Sequence, residues 1–398
     1  MEITTSVSHQ IISEAEYLTF ITSHAIENNY SVALWRLPND NTKHLIVSKQ
    51  HELLTPEKLL EDLPSGFIFA PFDKSADRIF LKADLSFSFS NQVLDNPQNP
   101  IEISSQAWLQ TQRNERLHSA GKHYRLKYQP CAADKDAFIQ VVEKGVAEIE
   151  KGTFEKIVPS RAKLSNIPPD FDPVLAFQRL SAANPNAFVS IVSTPQSGTW
   201  LGATPELLVC VEEKSIFRTI ALAGTQAYQQ GEDLKTVAWT QKDIEEHALV
   251  ERYIVNSFKK IRLREFEEHG PKTVVAGNLL HLKSEFSVDM AATNFPQLGS
   301  VMLQLLHPTS AVCGVPLDTS YEFLKKNEGY DRQYYSGYLG PVNFNNCINI
   351  FVNLRCAQLL EDKAILYAGA GVTADSVPEL EWKETDMKIN TLLDVIGR

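Results

Sequence analysis

The sequence predicts an α+β fold in which large mixed, mainly antiparallel β-sheet layers form a sandwich-like core flanked by helices. Three runs rich in β-branched and aromatic residues, at 187–194, 199–211 and 215–223, are separated by turns and not by helices. Strands joined by short turns pair antiparallel, because a parallel pair needs a long crossover connection. The predicted helices lack the regular strand–helix–strand rhythm of a doubly wound sheet.

The individual elements follow from local patterns along the chain. Short apolar runs predict strands at residues 31–35, 66–70 and 155–163. Asp172-Pro173 supplies a helix cap followed by proline at the first helical position, which predicts a helix to about Asn184. Later patterns predict helices at 241–261, 295–306 and 319–327, strands at 349–360 and 364–368, and a final helix.

A polar and basic stretch at residues 104–127 suits a boundary between two regions, because helical periodicity starts after it, near Ala133. We place the boundary near residue 115. Residues 1–115 then form an N-terminal α/β region that contributes to one compact fold. Residues 116–398 carry every candidate site residue.

The composition excludes several classes of partner. The 398 residues have a formal net charge of -11 and contain no basic tract, which argues against nucleic acid or an anionic membrane as partner. Five cysteines without a Cys-x-x-Cys pair do not suit a disulfide framework. The sequence shows neither a signal-peptide pattern nor a run approaching the roughly 18 apolar residues of a membrane span. We therefore expect a cytoplasmic protein.

The final helix is predicted to direct acids inward. At about 100° per residue, Glu381, Glu384 and Lys388 share one helix face, which Leu392 and Val395 continue. Buried carboxylates are costly unless they are paired or bind a cation. This face is therefore a stronger site candidate than a charge run at the surface.

A second predicted helix repeats this arrangement. Asp243 and Glu246 lie one turn apart, and Val250 and Ile254 continue their face. Either acid pair alone could equally well lie on a solvated helix face or bind a cation. Two acid pairs that both point inward favour a bound cation. Oxygen ligands without a matching His/Cys cluster favour Mg²⁺ over Zn²⁺. The predicted metal residues are Glu246, Glu384, Asp243 and Glu381.

Three motifs appear in order along the chain: Gly202-Ala203-Thr204-Pro205-Glu206, Lys242-Asp243-Ile244-Glu245-Glu246-His247 and Glu381-Trp382-Lys383-Glu384-Thr385-Asp386-Met387-Lys388. Together they resemble those of the chorismate-utilising enzymes, which comprise isochorismate, salicylate, anthranilate and aminodeoxychorismate synthases. The resemblance covers roughly residues 130 to 396. It implies an anthranilate synthase component I-like fold, chorismate as the small-molecule substrate, and a chorismate-binding catalytic domain at residues 116–398.

By this resemblance, Lys156 is the base that activates water. Strand alternation places it on the same face as Val158 and Ser160. A lone lysine on a strand more commonly extends towards solvent, but anthranilate synthases have glutamine here, so lysine implies water and not ammonia as nucleophile. To act as a base the amine must be neutral, which burial and a nearby Mg²⁺ favour.

The resemblance also makes Glu206 the general acid that protonates the leaving C4 hydroxyl of chorismate. Glu206 follows a turn and precedes the apolar run Leu207-Leu208-Val209. Taken without the motif, it reads as a solvated turn acid. A carboxyl beside apolar neighbours holds its proton more firmly, as this role requires.

The substrate contacts are carried over in the same way. Arg355 lies inside an apolar strand run, where a guanidinium should meet an anion. A structural salt bridge would satisfy it too, but the resemblance makes it a ligand of a chorismate carboxylate. Glycine backbone N–H groups can approach an anion closely. The remaining predicted substrate-binding residues are Tyr335, Gly369, Gly371, Lys388, Thr225 and His307.

His307, in His307-Pro308-Thr309, supports water as nucleophile, because water-using members of the family carry this tripeptide. A histidine at a helix end is often only a partner of the helix dipole. Two positions depart from the family pattern. Asp243 stands where glutamate is more usual, which implies support of the metal through water, and Pro159 replaces a more common leucine and lacks one ladder N–H.

The resulting hypothesis is a Mg²⁺-dependent isochorismate synthase that reversibly converts chorismate to isochorismate. Salicylate synthase, which also eliminates pyruvate, remains the alternative within the family. A non-catalytic domain that binds a metal or a carboxylate is the alternative from another class. Water chemistry removes the need for a glutamine amidotransferase subunit. The sequence does not separate a menaquinone from a catechol siderophore pathway and does not determine the oligomeric state, for which we favour a monomer.

Overall fold

The computed structural model describes residues 14–90, 93–95, 123–125, 134–213, 215–228, 231, 233–276 and 279–396. The predicted boundary near residue 115 lies outside them. The helices in this part of the chain are α1 (Glu14–Glu27), α2 (Lys135–Glu150), α3 (Pro173–Ala183), α4 (Gln241–Lys260), α5 (Leu298–Leu306), α6 (Leu317–Asn327) and α7 (Pro378–Ile396).

The strands in the same residues are β1 (Ser31–Arg36), β2 (Lys43–Ser48), β3 (Glu52–Leu54), β4 (Gly66–Ala70), β5 (Arg78–Lys82), β6 (Leu85–Ser90), β7 (Val93–Asp95), β8 (Lys156–Ile157), β9 (Ser160–Asn166), β10 (Phe188–Thr194), β11 (Gly198–Thr204), β12 (Leu207–Val211), β13 (Ile216–Ala227), β14 (Glu267–Ala276), β15 (Leu279–Asp289), β16 (Gly314–Val315), β17 (Tyr338–Val342), β18 (Ile348–Val352), β19 (Cys356–Leu359) and β20 (Lys363–Gly369).

Two large antiparallel sheets organise these strands. Within the described residues, the first sheet has nine strands in the order β7-β6-β2-β1-β10-β11-β19-β20-β9, and the second has nine in the order β14-β15-β13-β12-β18-β17-β4-β5-β3. Strands from the N-terminal region enter both sheets, since β1 pairs with β10 and β4 pairs with β17. A separate ribbon joins β8 to β16. The predicted α+β class with mainly antiparallel layers is confirmed.

Apolar clusters show how the layers stack. Trp35 and Trp200 belong to the cluster between the two sheets. Phe177 of α3 packs with residues on the outer face of the first sheet, while Val250 of α4 and Met302 of α5 pack on the second. The order is therefore helix, sheet, sheet, helix. None of the described helices is long and apolar enough to cross a membrane.

The helix predictions are largely confirmed. Helix α3 begins where Asp172 caps it, accepting hydrogen bonds from the backbone N–H groups of Val174 and Leu175, with Pro173 at its first position. It ends at Ala183, with Asn184 as the C-cap. Helices α4 to α6 start or end within a few residues of the predicted limits.

Three predicted strands are each divided in the structure, so their predicted continuity is wrong. The strand expected at 155–163 breaks before Ser160 into β8 of the ribbon and β9 of the first sheet. The strand expected at 199–211 breaks at Pro205-Glu206, where the chain passes from the first sheet to the second. The strand expected at 349–360 breaks at residues 353–355, where the chain passes back.

Helix α7 is fastened to the first sheet by one buried arginine. Arg161 of β9 donates from Nε to the Thr385 hydroxyl, 2.7 Å away, and from Nη2 to the Asp386 carboxylate. Its guanidinium lies 3.7 Å from the centroid of the Trp382 ring. The side chains of Trp382 and Thr385 in the C-terminal motif therefore hold α7, and with it the acids on the same helix, in place.

We expect Arg161→Ala to lower the free energy of unfolding by about 2–4 kcal/mol, because it removes charged hydrogen bonds and a cation–π contact from a buried position. Arg125→Ala is the matched control. Arg125 forms an exposed 3.5 Å ion pair with Glu361, and the loss of such a pair costs less than about 1 kcal/mol. Urea unfolding of both variants provides the comparison, and equal midpoints would contradict the role given to Arg161.

Candidate active site

The chain passes between the two sheets at Pro205-Glu206 and again at residues 353–355. These two segments, called the crossings below, lie side by side. The Val352 N–H donates to the Glu206 carbonyl at 3.0 Å, and the Ala203 N–H donates to the Arg355 carbonyl at 3.1 Å. The Thr204 hydroxyl adds a 2.7 Å bond to the Val352 carbonyl. The backbone therefore fixes Glu206 and Arg355 next to each other, although they are far apart in sequence.

One pocket collects most of the predicted site residues. Lys156 does not line it, but reaches its wall through a hydrogen bond to Glu246. Helices α4 and α7, the turn after β20 and both crossings contribute the walls. Of the predicted residues, the pocket is lined by Glu206, Thr225, Glu246, Tyr335, Arg355, Gly369, Gly371 and Lys388.

Glu206 is a buried carboxyl that holds its proton unusually firmly. Only 6% of the residue is exposed, and burial raises the pKa of Glu206 to about 7. The Thr309 hydroxyl, which donates to Oε1 at 3.3 Å, opposes the rise together with the positive charges of Lys156, Lys388 and Arg355. A carboxyl with this pKa can both donate and accept a proton near neutral pH.

Lys156 is fully buried and paired with an acid. Its ammonium group donates to Glu246 Oε1 at 2.8 Å. Burial alone would raise the pKa of Glu246, but Lys156, Lys388 and Lys242 outweigh burial and lower it to about 2. Glu246 therefore remains a carboxylate at any physiological pH. Its charge is available to a cation.

The two acids of α7 are also paired with lysines. Glu381 accepts from Lys242 of α4 at 2.6 Å, and Glu384 accepts from Lys388 one turn later at 2.7 Å. Glu381 is 1% exposed, and its Oε2 is a buried oxygen without a hydrogen-bond donor among the described side chains and backbone. Burial raises the pKa of Glu381, an effect that Lys242 opposes and Glu384 reinforces.

Asp243 has a structural contact that the spacing of Thr240 and Asp243 in the sequence would have indicated. It forms a capping box with Thr240 at the start of α4: its carboxylate accepts from the Thr240 hydroxyl and backbone N–H, while the Thr240 hydroxyl oxygen accepts from the Asp243 N–H. One oxygen of this carboxylate, Oδ2, thus holds the helix end, and the support of a metal by Asp243 stays a prediction.

Two of the other acids, Glu246 and Glu381, offer oxygens of the kind that a magnesium ion binds. No three His, Cys, Asp or Glu side chains of the described residues form a ready metal cluster. Mg²⁺ does not require one, since it is commonly held by one or two carboxylates together with water and substrate oxygens. The charged Glu246 and the buried, unpartnered oxygen of Glu381 are the kind of groups that such an ion satisfies.

Arg355 lies at the crossing between β18 and β19 and not inside a strand, as the sequence had suggested. Its φ of 46° is in the left-handed region, which a strand cannot use. One of its guanidinium nitrogens, Nη2, lies 2.6 Å from His281 Nε2. Burial lowers the pKa of Arg355 to about 10, and Glu206 opposes this change, so the side chain remains positively charged.

The turn after β20 approaches the acids closely. A Cβ atom on Gly371 would lie 2.3 Å from Glu246 Oε1, so a side chain here would displace that carboxylate. Gly369 contributes its carbonyl, which accepts from the Lys388 ammonium at 2.9 Å. A Cβ atom on Gly369 would lie 3.2 Å from the Tyr335 hydroxyl. Glycine at these positions thus leaves room for the pocket.

His307 does not line this pocket, so the structure does not bring it together with the other predicted substrate contacts. It caps the end of α5, its Nε2 lies 3.1 Å from the Pro71 carbonyl, and its ring packs edge-on against Tyr338. Burial lowers its pKa to about 4. Thr309, from the same tripeptide, is the residue that reaches the site through Glu206.

Sequence reasoning also missed His281 and Lys242. His281 lines the pocket from β15. A histidine inside the apolar run Leu279-Leu280-His281-Leu282 was the available signal, because a buried polar side chain in a strand needs a partner. Lys242 stood within a quoted motif but had no assigned partner. Only the packing of α4 against α7 reveals that it meets Glu381.

Comparison with solved structures identifies the fold. The menaquinone-specific isochorismate synthase MenF from Escherichia coli superposes with a TM-score of 0.75 at 20% identity, over 97% of this chain and 92% of that chain. Anthranilate synthase component I from Streptococcus pneumoniae TIGR4 superposes with a TM-score of 0.67 at 18% identity, over 92% of each chain. The expected anthranilate synthase component I-like fold is confirmed.

Sequence comparison identifies the family. Isochorismate synthase EntC of Escherichia coli (strain K12) is 29% identical over 82% of this chain and 87% of its own length. Isochorismate synthase DhbC of Bacillus subtilis (strain 168) is 30% identical over 75% of this chain and 76% of its own length. The family described as chorismate binding enzyme matches residues 75–397. The chain belongs to this family of chorismate-converting enzymes.

We expect the Glu206 carboxyl to titrate near pH 7, and Thr309→Val to raise its pKa further, since this change removes a hydrogen bond that favours the charged form. The measurement is the ¹³C carboxyl shift of glutamate-labelled protein as a function of pH. The Glu206 signal is assigned by its absence from Glu206→Gln. A pKa near the ordinary 4.5 would contradict the effect of burial.

Proposed function

We propose that this chain is a Mg²⁺-dependent isochorismate synthase, which converts chorismate reversibly to isochorismate. The observation that carries the proposal is a buried carboxyl of pKa about 7, Glu206, in the wall of the pocket, together with a buried lysine, Lys156, that bonds to the wall residue Glu246. The names of the related proteins support the same reaction. The step requires one group to take a proton and another to give one, and these two residues suit those tasks.

Glu206 acts as the general acid. A carboxyl with a pKa of about 7 is largely protonated below neutral pH, so it can donate to the C4 hydroxyl and let it leave as water. At the same time the ring double bonds shift, and a new hydroxyl is formed at C2. In the reverse direction, the same carboxylate accepts a proton from water that attacks C4.

Lys156 acts as the base for water at C2. In the structure its ammonium is held by Glu246 at 2.8 Å, and it can accept a proton only after releasing its own. Glu246 therefore links the base to the acids that would hold the metal.

We assign Glu246 and Glu384 as the direct ligands of Mg²⁺ and Glu381 as their support. When bound, Mg²⁺ would clamp the ring carboxylate of chorismate and offset its charge. Glu381 is restrained by Lys242, and Glu384 by Lys388. Lys388 therefore faces both an acid and the pocket, and it would contribute positive charge to a bound substrate.

Arg355 and Tyr335 hold the enolpyruvyl carboxylate in this proposal. Arg355 is positively charged and lines the pocket, and a planar guanidinium matches a carboxylate with two parallel hydrogen bonds. Tyr335 stacks on Tyr367, which fixes the direction of its hydroxyl. These contacts explain how a chain with a negative net charge binds chorismate, which is a dianion. The positive charges at the pocket, and not the net charge of the chain, determine the potential that the substrate meets.

The proposed product, isochorismate, suits two biological settings. Menaquinone and catechol siderophore pathways both begin with isochorismate, and relatives of this chain include a menaquinone-specific enzyme and a vibriobactin-specific one. Water as the nucleophile makes a glutamine amidotransferase subunit unnecessary. A reducing cytoplasm suits the four free cysteines of the described residues.

The test is to incubate the purified protein with chorismate and Mg²⁺ and to separate the products by chromatography. We expect isochorismate, and removal of Mg²⁺ with a chelator should stop its formation. Lys156→Gln and Glu206→Gln should each lower kcat at least about 100-fold, the usual contribution of a general acid or base.

Matched controls make the same chemical changes at exposed positions, Lys151→Gln and Glu361→Gln, whose side chains are 66% and 83% exposed. Salicylate and pyruvate as the main products would identify a salicylate synthase instead. Full turnover by both Lys156→Gln and Glu206→Gln would show that the acid–base assignment is wrong.

A further inference from the structure

His281 joins two walls of the pocket. It lies on β15, is 5% exposed, and lines the pocket. Its Nδ1 lies 2.7 Å from the Gly224 carbonyl oxygen, and its Nε2 lies 2.6 Å from Arg355 Nη2. Both ring nitrogens are therefore engaged, one by the β13 wall and the other by the crossing that carries Arg355.

The two partners determine where the imidazole proton lies. A carbonyl oxygen can only accept a hydrogen bond, so Nδ1 must carry the proton and donate. A guanidinium can only donate, so Nε2 must be bare and accept. A second proton on Nε2 would point at an N–H of Arg355. Burial together with the Arg355 charge lowers the pKa of His281 to about 3, in agreement with this neutral form.

A neutral acceptor has a particular effect on a guanidinium. A carboxylate in the same place would fix the orientation of Arg355 but would also neutralise much of its charge. The imidazole fixes the orientation and leaves the positive charge for another anion. Arg355 needs such a guide, because it lies on a left-handed backbone residue outside any strand.

Gly224 gives the other end of this link a firm anchor. It lies where the pairing of β13 with β15 shifts register, between Ala223 and Gln226. Its φ of 71° favours glycine, and its carbonyl points to His281. Thr225, the next residue, lines the pocket. The bulge, the imidazole and the guanidinium thus form one continuous support.

We propose that His281 is a positioning residue for substrate binding: it accepts a hydrogen bond from Arg355 and so aims the charged guanidinium at a carboxylate of the substrate. The inference rests on the proposed function in taking that carboxylate to belong to chorismate. His281 takes no part in proton transfer, because neither ring nitrogen is available and the acid and base are Glu206 and Lys156.

Two substitutions separate the two hydrogen bonds. His281→Gln places an amide oxygen near the position of Nε2, so it keeps an acceptor for Arg355 and gives up the bond to Gly224. His281→Asn places an amide N–H near the position of Nδ1, so it keeps the donor to Gly224 and gives up the acceptor. Both variants remove an ionisable ring, and both replace it with the same functional group.

Steady-state kinetics with chorismate and Mg²⁺ then tests the proposal. We expect KM to rise about tenfold or more in His281→Asn and to stay within about threefold of the parent value in His281→Gln, because a hydrogen bond to a charged group is worth that much. In both variants kcat should change by less than about threefold. The high-pH limb of the kcat/KM profile should be unchanged in both.

An equal rise of KM in the two variants, or a loss of kcat with unchanged KM, would overturn the positioning role. Should either variant fail to fold, as judged by its melting temperature, nitrogen NMR of the parent protein decides instead. The His281 ring should be neutral with its proton on Nδ1 from pH 5 to 9, and a proton on Nε2 would overturn the proposal. Failure of the parent protein to convert chorismate would refute the proposed function. The NMR test of His281 would remain valid in that case, because it does not depend on turnover.

Discussion

The candidate site depends on the pairing of two chain crossings. The chain leaves the first sheet at Pro205-Glu206 and returns to it through residues 353–355, and backbone hydrogen bonds of 3.0 and 3.1 Å hold these two passages together. A residue at such a passage is released from the alternation of a strand, so its side chain can point into the space between layers. Glu206 and Arg355 occupy this position, and the helices α4 and α7 bring the acids and lysines to meet them.

Two glutamates at this pocket illustrate how charge is distributed. Glu206 is buried and the Glu246 side chain is 16% exposed, and their pKa values move in opposite directions, to about 7 and about 2. Burial dominates for Glu206, whereas three lysines overcome it for Glu246. A carboxyl that holds its proton and one that stays charged therefore lie on the same pocket. Their different pKa values follow from their neighbours, because the residue type is identical.

The parts of this arrangement that depend on local sequence patterns, such as helix caps and helical spacing, were predictable. Asp172-Pro173 marked the start of α3, and the spacing of Glu381, Glu384 and Lys388 indicated an inward face of α7. The divided strands were not predictable from periodicity, because apolar residues alternate on both sides of Pro205 and of Arg355 whether or not the chain changes sheets. The local contacts of Asp243 and His307 differ in how far they could be predicted. The spacing of Thr240 and Asp243 is that of a capping box, whereas the contact of His307 with the Pro71 carbonyl joins residues far apart in sequence.

In the proposed reaction, Lys156 and Glu206 act on opposite ends of one transposition, with water entering at C2 while the C4 hydroxyl departs. Isotopic labelling tests it most directly. In H₂¹⁸O, isochorismate isolated at early times should contain one ¹⁸O atom, located in the C2 hydroxyl, and Glu206→Gln and Lys156→Gln should both abolish its formation. Isochorismate that retains the original oxygen, without any label from solvent, would contradict the account.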